Sequence, residues 1–143
     1  MKIHLITIGK PKLHYAQLGW DEYLSRLQKF HKLTVTQLHD KYTDDARKIL
    51  AVTVGTYRVA LVIDGKELSS HKLALFLEQS EFAAKEVSFI IGGPEGLPAA
   101  VIAQADFTWS LSPLTLPHDL AMVVTVEAIY RATTINAGIP YHK

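Results

Sequence analysis

The chain has 143 residues, of which 48% are hydrophobic and 20% charged, which suits one compact domain (1–143) with a sizeable core and argues against disorder. It contains no cysteine, which excludes disulfides, thiolate metal sites and cysteine nucleophiles together. The net charge of +1 is unevenly spread, with nine Lys/Arg against five Asp/Glu in residues 1–50 and six against nine in residues 51–143; the basic half suits a phosphate partner and equally suits ordinary solvated charge.

Lys2–Ile8 is a β-rich run that stops at Gly9. It is too short for a signal peptide, and no stretch approaches the ~20 apolar residues of a membrane span, so a soluble, cytoplasmic protein is expected. From Pro11 to about Phe30, Leu13, Leu18, Tyr23, Leu24 and Leu27 give roughly helical spacing. Lys32–Leu38 alternates as a strand, and Asp44–Val52 suits a short helix. Arg58–Ile63 is an apolar strand closed by Asp64-Gly65. Ser69 or Ser70 caps a helix to about Gln79. Val87–Ile91 is another apolar strand, closed by Gly92-Gly93-Pro94, and a helix follows over Leu97–Gln104. Phe107–Leu111 is the fifth strand. A long helix runs from near Pro117 to Asn136, with Gly138 and Pro140 as stop signals.

Apolar strands alternating with helices predict an α/β domain, a mainly parallel sheet flanked by helices. Ligands in such sheets sit beyond the carboxyl ends of the strands, which directs attention to Asp64-Gly65, Gly92–Gly96 and Leu111–Leu116. The run Ile91-Gly92-Gly93-Pro94-Glu95-Gly96 is neither a P-loop nor a dinucleotide fingerprint, and spacing alone favours a tight turn over a ligand loop. Ser110–His118 is an apolar loop with two prolines. Such a loop is either buried by packing or packs an apolar ligand such as an adenine ring.

The last helix is apolar on nearly every side, through Leu120, Met122, Val123, Val124, Val126, Ile129 and Ala132. One side then faces its own sheet and another faces a partner subunit, so a homodimer is expected. The seven histidines lack H-x-x-x-H and H-E-x-x-H spacing, so no metal site is expected. His118 and His142 stand out because they flank the long helix. No G-x-S-x-G elbow surrounds Ser110 or Ser112.

The segments IIGGPEGL, WSLSPLTLPH and EAIYRATTINAGIPYHK, in this order, with MKIHLITIGK and DEYLSRL before them, closely resemble the large-subunit (23S) ribosomal RNA pseudouridine N3-methyltransferases of the SPOUT, or α/β-knot, superfamily. The resemblance covers essentially the whole chain and is most specific over residues 88–143. It implies a sheet whose C-terminal part is threaded through a trefoil knot, an exception to the rule against knots. It implies S-adenosyl-L-methionine as cofactor, held by Leu61, Gly92, Leu111, Ser112, Pro113, Leu114, Thr115 and Leu116. It further implies a homodimer in which Tyr141-His142-Lys143 of one subunit completes the other's site, with a pseudouridine of the assembled ribosome as substrate.

Methylating a ring nitrogen needs no covalent adduct, so the lack of cysteine is compatible with this chemistry, which positioning can largely drive. Candidates for assisting the proton's departure are His118, Glu127, Tyr130, Arg131, Tyr141, His142 and Lys143. His118 and the tail are favoured as catalytic, and Arg131 and Lys143 as orienting or phosphate-binding; for Glu127 and Arg131 the competing reading is a structural i,i+4 ion pair. Two departures stand out: Met122 occupies the place of a family arginine, and the region His39–Asp45 is shortened. Both imply a reduced contact surface for RNA. The alternatives are a SPOUT enzyme acting on another RNA such as tRNA, and a non-catalytic ribosome-binding factor.

Overall fold

The computed structural model describes residues 1–143. The strands are β1 (Lys2–Ile8), β2 (Lys32–Leu38), β3 (Tyr57–Glu67), β4 (Val87–Ile91) and β5 (Phe107–Ser110). They form one sheet in the order β2-β1-β4-β3-β5, and every pair is parallel. The helices are α1 (His14–Leu27), α2 (Ala46–Ala51), α3 (Ser70–Phe82), α4 (Ala99–Ala103) and α5 (His118–Ala137), with a 3-10 turn at Asp40–Tyr42. Parallel strands joined by helices are the architecture expected from the sequence.

Strand alternation divides the interior in two. Ile3, Leu5, Val87, Phe89 and Ile91 point to one face, where Trp20 and Leu27 of α1, Leu73 and Leu77 of α3, and Met122, Val126 and Ile129 of α5 pack against them. Ile6, Ile8 and Ile90 point to the other face, toward Ile49 of α2 and Val101 of α4. All five β4 residues are buried, as suits a central strand covered on both faces.

Several boundaries differ from the sequence reading. The first helix begins at His14, not Pro11, and Leu13 at its N-cap makes no side-chain cap. Its buried face is Ala16, Trp20 and Leu27, whereas Leu13 and Leu18 are 56% and 59% exposed. Helical spacing alone does not say which of two apolar stripes faces the sheet. Gly19 decides it here, because a Cβ there would stand 3.0 Å from Val123 Cγ1 of α5. The last helix buries Met122, Val126, Ile129 and Ala132, with Leu120, Val123 and Val124 half-buried. Met122 is fully buried, so its position faces the core and offers nothing to a surface partner.

The third strand does not stop at Asp64-Gly65 but continues to Glu67. Val59, Ala60 and Leu61 pair with Phe107, Thr108 and Trp109; the register then shifts, and Lys66 and Glu67 pair with Trp109 and Ser110. Residues 62–65 therefore rise out of the ladder over β5. A Cβ on Gly65 would lie 2.7 Å from the Trp109 carbonyl carbon and 2.9 Å from the Ser110 nitrogen. Backbone cannot yield there as a flexible side chain would, so only glycine fits. Gly65→Ala is expected to destabilise the chain by at least about 2 kcal/mol, measured as a shift of the urea midpoint.

Where α1 ends, His31 Nε2 lies 2.8 Å from Thr133 Oγ1. The Thr133 hydroxyl is donated to the Ile129 carbonyl, so His31 donates through Nε2–H. Its Nδ1 is buried with no partner. Burial first, then the nearby amino terminus, lower the His31 pKa to about 4. Between pH 6.5 and 4 the unfolded chain therefore binds a proton that the folded chain refuses, and stability is lost as pH falls through this window. Allowing for solvent screening, about 1 kcal/mol is expected to disappear between about pH 7 and 5. His31→Gln keeps the Thr133 contact and is expected to flatten that dependence in urea titrations.

Candidate active site: a cleft at the carboxyl edge of the sheet

Three strand ends and the first turn of α5 converge on one cleft of about 150 Å³. β3 contributes Leu61, Val62 and Ile63, and β4 with its turn contributes Ile91, Gly92, Gly93, Pro94 and Gly96. β5 and the loop after it contribute Trp109, Ser110, Leu111, Ser112, Leu114, Thr115 and Leu116, and α5 contributes His118 and Ala121. Of the residues expected at a cofactor, all but Pro113 line this cleft. Pro113 is exposed and shapes the loop from outside.

The glycine turn is both things the sequence allowed. Gly96 N–H donates to the Gly93 carbonyl at 2.9 Å, and Gly96 has φ +84°. A Cβ on Gly92 would stand 2.7 Å from the Gly96 carbonyl carbon. The turn is thus tight for its own reasons, and its outer edge forms a wall of the cleft.

The apolar loop is held by its own serines. Ser110 Oγ donates to the Ser112 carbonyl at 3.1 Å, and Leu114 N–H donates to Ser112 Oγ at 3.0 Å. The fixed loop leaves backbone groups unused, since the N–H groups of Leu111, Ser112, Thr115 and Leu116 have no partner within the chain. Leu114 is 72% exposed, so the loop is not plugged into the core. One polar side-chain atom of the wall, His118 Nε2, is buried without a partner. Apolar walls with unpaired main-chain donors suit a flat heteroaromatic ring, and a buried unpaired nitrogen suits a polar ligand group.

Asp119, next in the chain to the cleft residue His118, ties α5 to the start of α1. Its Oδ2 accepts from the backbone N–H of Lys12 at 2.9 Å and of Leu13 at 2.6 Å. The cap that α1 lacks in its own sequence thus comes from α5, more than a hundred residues later. The sequence marks this aspartate only as an acid beside His118 at a helix start.

The tail residues lie elsewhere. After Gly138 closes α5 in the left-handed conformation, the chain turns back along the helix. Tyr141 OH donates to Glu127 Oε1 at 2.9 Å and lies 3.0 Å from Tyr23 OH. The Arg131 guanidinium is 4.8 Å from the Tyr141 ring, and the Tyr130 ring stands edge-on to it at 4.8 Å. Arg131 binds Glu127 Oε1 through Nε at 3.0 Å and Nη2 at 2.6 Å, so the i,i+4 ion pair is formed. Burial, then the hydrogen bonds to Tyr23 and Glu127, raise the Tyr141 pKa. Lys143 is exposed at the chain end. Glu127 and Arg131 lie about 13 to 20 Å along the helix from His118. Within one chain, Arg131, Tyr141 and His142 therefore form a cluster apart from the cleft, and Lys143 follows it at the chain end. Tyr23, which the sequence shows only as part of the apolar spacing of α1, closes this cluster. No group of three or more His, Asp or Glu is arranged to hold a metal ion, and no helix is long and apolar enough to cross a membrane.

The family model described as "Predicted SPOUT methyltransferase" matches residues 1–142. The chain belongs to the SPOUT methyltransferase family. A Deinococcus radiodurans protein named ribosomal RNA large subunit methyltransferase H is 47% identical over 145 aligned residues, covering 100% of this chain and 99% of that protein. Proteins of the same name from Deinococcus deserti and Ectopseudomonas mendocina are 46% and 39% identical, each alignment spanning the whole of both chains. The alignment with the E. mendocina protein runs to 155 positions, against 145 for D. radiodurans. The short length of this SPOUT chain is thus common to it and the D. radiodurans relative.

The link between α1 and α5 is open to test. Asp119→Ala is expected to cost about 2 kcal/mol in urea unfolding, because two backbone donors lose a charged acceptor. Asp119→Asn, which keeps an acceptor oxygen, is expected to lose less than half of that.

Proposed function

We propose that this chain uses S-adenosyl-L-methionine to methylate N3 of a pseudouridine in large-subunit ribosomal RNA. It acts on the assembled ribosome, in the cytoplasm, as a homodimer. The cleft carries this reading. Its apolar walls, its unpaired main-chain donors at Leu111, Ser112, Thr115 and Leu116, and the lone His118 Nε2 fit an adenosine with a charged tail. The names of the full-length relatives support ribosomal RNA as the substrate.

When bound, S-adenosyl-L-methionine supplies an electrophilic methyl group on sulfur. Leu61, Gly92 and the 111–116 loop hold it, and His118 Nε2 offers it a hydrogen bond. The chain's task is then orientation, with N3 losing its proton to water as the new bond forms.

The rise of residues 62–65 over β5 and the path of 111–117 to α5 are the proposed crossing points of a trefoil knot. Leu13 at the N-cap of α1 and Tyr15 and Leu18 within it are each more than half exposed, beside the half-buried Leu120, Val123 and Val124 of α5. This apolar face is the proposed dimer contact, and it brings the tail of one subunit to the cleft of the other.

Calorimetry with S-adenosyl-L-methionine tests the cofactor. Ala121→Leu projects into the cleft and is expected to weaken binding at least about tenfold while the chain stays folded. Mass spectrometry of ribosomal RNA from cells with and without the protein tests the substrate; an unchanged modification pattern removes the ribosomal reading. Mixing Ala121→Leu chains with chains lacking residues 140–143 tests the shared site. Random pairing restores about a quarter of the wild-type activity if tail and cleft come from different subunits, and none if they come from one.

A further inference from the structure

The contacts of the tail fix which of its atoms remain available for chemistry. Arg131 Nη1 lies 3.3 Å from His142 Nδ1. A guanidinium has donors only, so Nδ1 must accept. A neutral imidazole whose Nδ1 lone pair is engaged carries its hydrogen on Nε2. The arginine cannot swing aside to relax this, because its Nε and Nη2 are both bound to Glu127 Oε1. The same carboxylate oxygen receives Tyr141 OH. The His71 ring from α3 stands edge-on to His142 with centroids 5.0 Å apart. His142 thus meets Arg131 at Nδ1 and the His71 ring edge-on, with Glu127 holding the arginine in place, and Nε2 makes no hydrogen bond within the chain.

We infer that His142 serves as a hydrogen-bond donor, through Nε2–H, to a carbonyl oxygen of the target base, and that Arg131 is the positioning residue that holds it in this tautomer. The inference rests on the proposed function, since it needs a uracil-type ring as substrate. In such a ring N3–H lies between two carbonyl groups. As the N3–CH3 bond forms and the S–CH3 bond breaks, the N3 proton passes to water, and charge gathers on the flanking oxygens until transfer is complete. A donor already aimed at one of them stabilises that charge without reorganising. A histidine acting as the base needs a lone pair on its free nitrogen, and here the free nitrogen bears the hydrogen. Tyr141 is excluded from the same role because its hydroxyl hydrogen is given to Glu127; it keeps the tail in place.

Two measurements on the full chain decide this. Nitrogen-15 NMR of the histidine rings near pH 7.5, with His142 assigned from His142→Gln, is expected to show Nε2 protonated and Nδ1 bare. Arg131→Met is expected to release a mixture of tautomers. A proton on Nδ1 in the wild type overturns the inference. In methyl transfer to intact ribosomes, His142→Ala is expected to lose about a hundredfold, as for the removal of one oxyanion donor. His142→Gln keeps an N–H where Nε2 stood and is expected to retain activity within about tenfold of wild type. Equal losses in the two variants overturn the donor role. A wild-type protein inactive on ribosomes defeats the proposed function, while the NMR result still judges the tautomer.

Discussion

The contact on which the site depends is backbone against backbone, where residue 65 of β3 meets residues 109–110 of β5. That approach lets a single strand pair twice with its neighbour across a register shift, lifting residues 62–65 clear of the ladder. The lifted segment forms one wall of the cleft, and the chain leaving β5 forms the opposite wall. Most parallel sheets carry a ligand between a loop and a helix N-terminus. Here three strand ends and a loop held by its own serines do the work, and α5 adds only its first turn.

The second constraint is the reach of α5. Its start lines the cleft and caps α1 through Asp119. Its middle carries Glu127 and Arg131, which hold the returning tail. A rigid rod of this length separates ligand-holding residues from tail residues within one subunit. The half-buried apolar stripe of α5 and the exposed leucines of α1 lie on the surface that a second copy would cover. The proposed division of labour between subunits follows from the length of one helix.

Much of this was legible in the sequence. The strands β1, β2 and β4 were legible to the residue, β1 and β4 as apolar runs closed by glycine and β2 by its alternation. The Ser69 cap and the Gly138 stop were likewise readable. The cleft residues were named by resemblance, and the residues alone had already directed attention to the same loops. What could not be read depended on partners distant in the chain. Whether Leu18 or Trp20 faced inward was decided by Val123 meeting Gly19. The extension of β3 was decided by β5. The burial of Met122 followed from how α5 seats between α1 and α3. The clasp on Tyr141 needed Tyr23, a residue more than a hundred positions away, whose own surroundings carry no mark of that role.

The polar lining of the cleft is largely main chain, with Ser110 and Ser112 spent on bracing the loop. Such a surface is hard to retune by point substitution, since exchanging a side chain leaves its amide hydrogen where it was. Sequences can therefore drift around this pocket while its recognition pattern persists. An inhibitor addressing those amides would meet resistance through altered shape, by bulk at positions such as Ala121, sooner than through loss of a hydrogen-bonding partner.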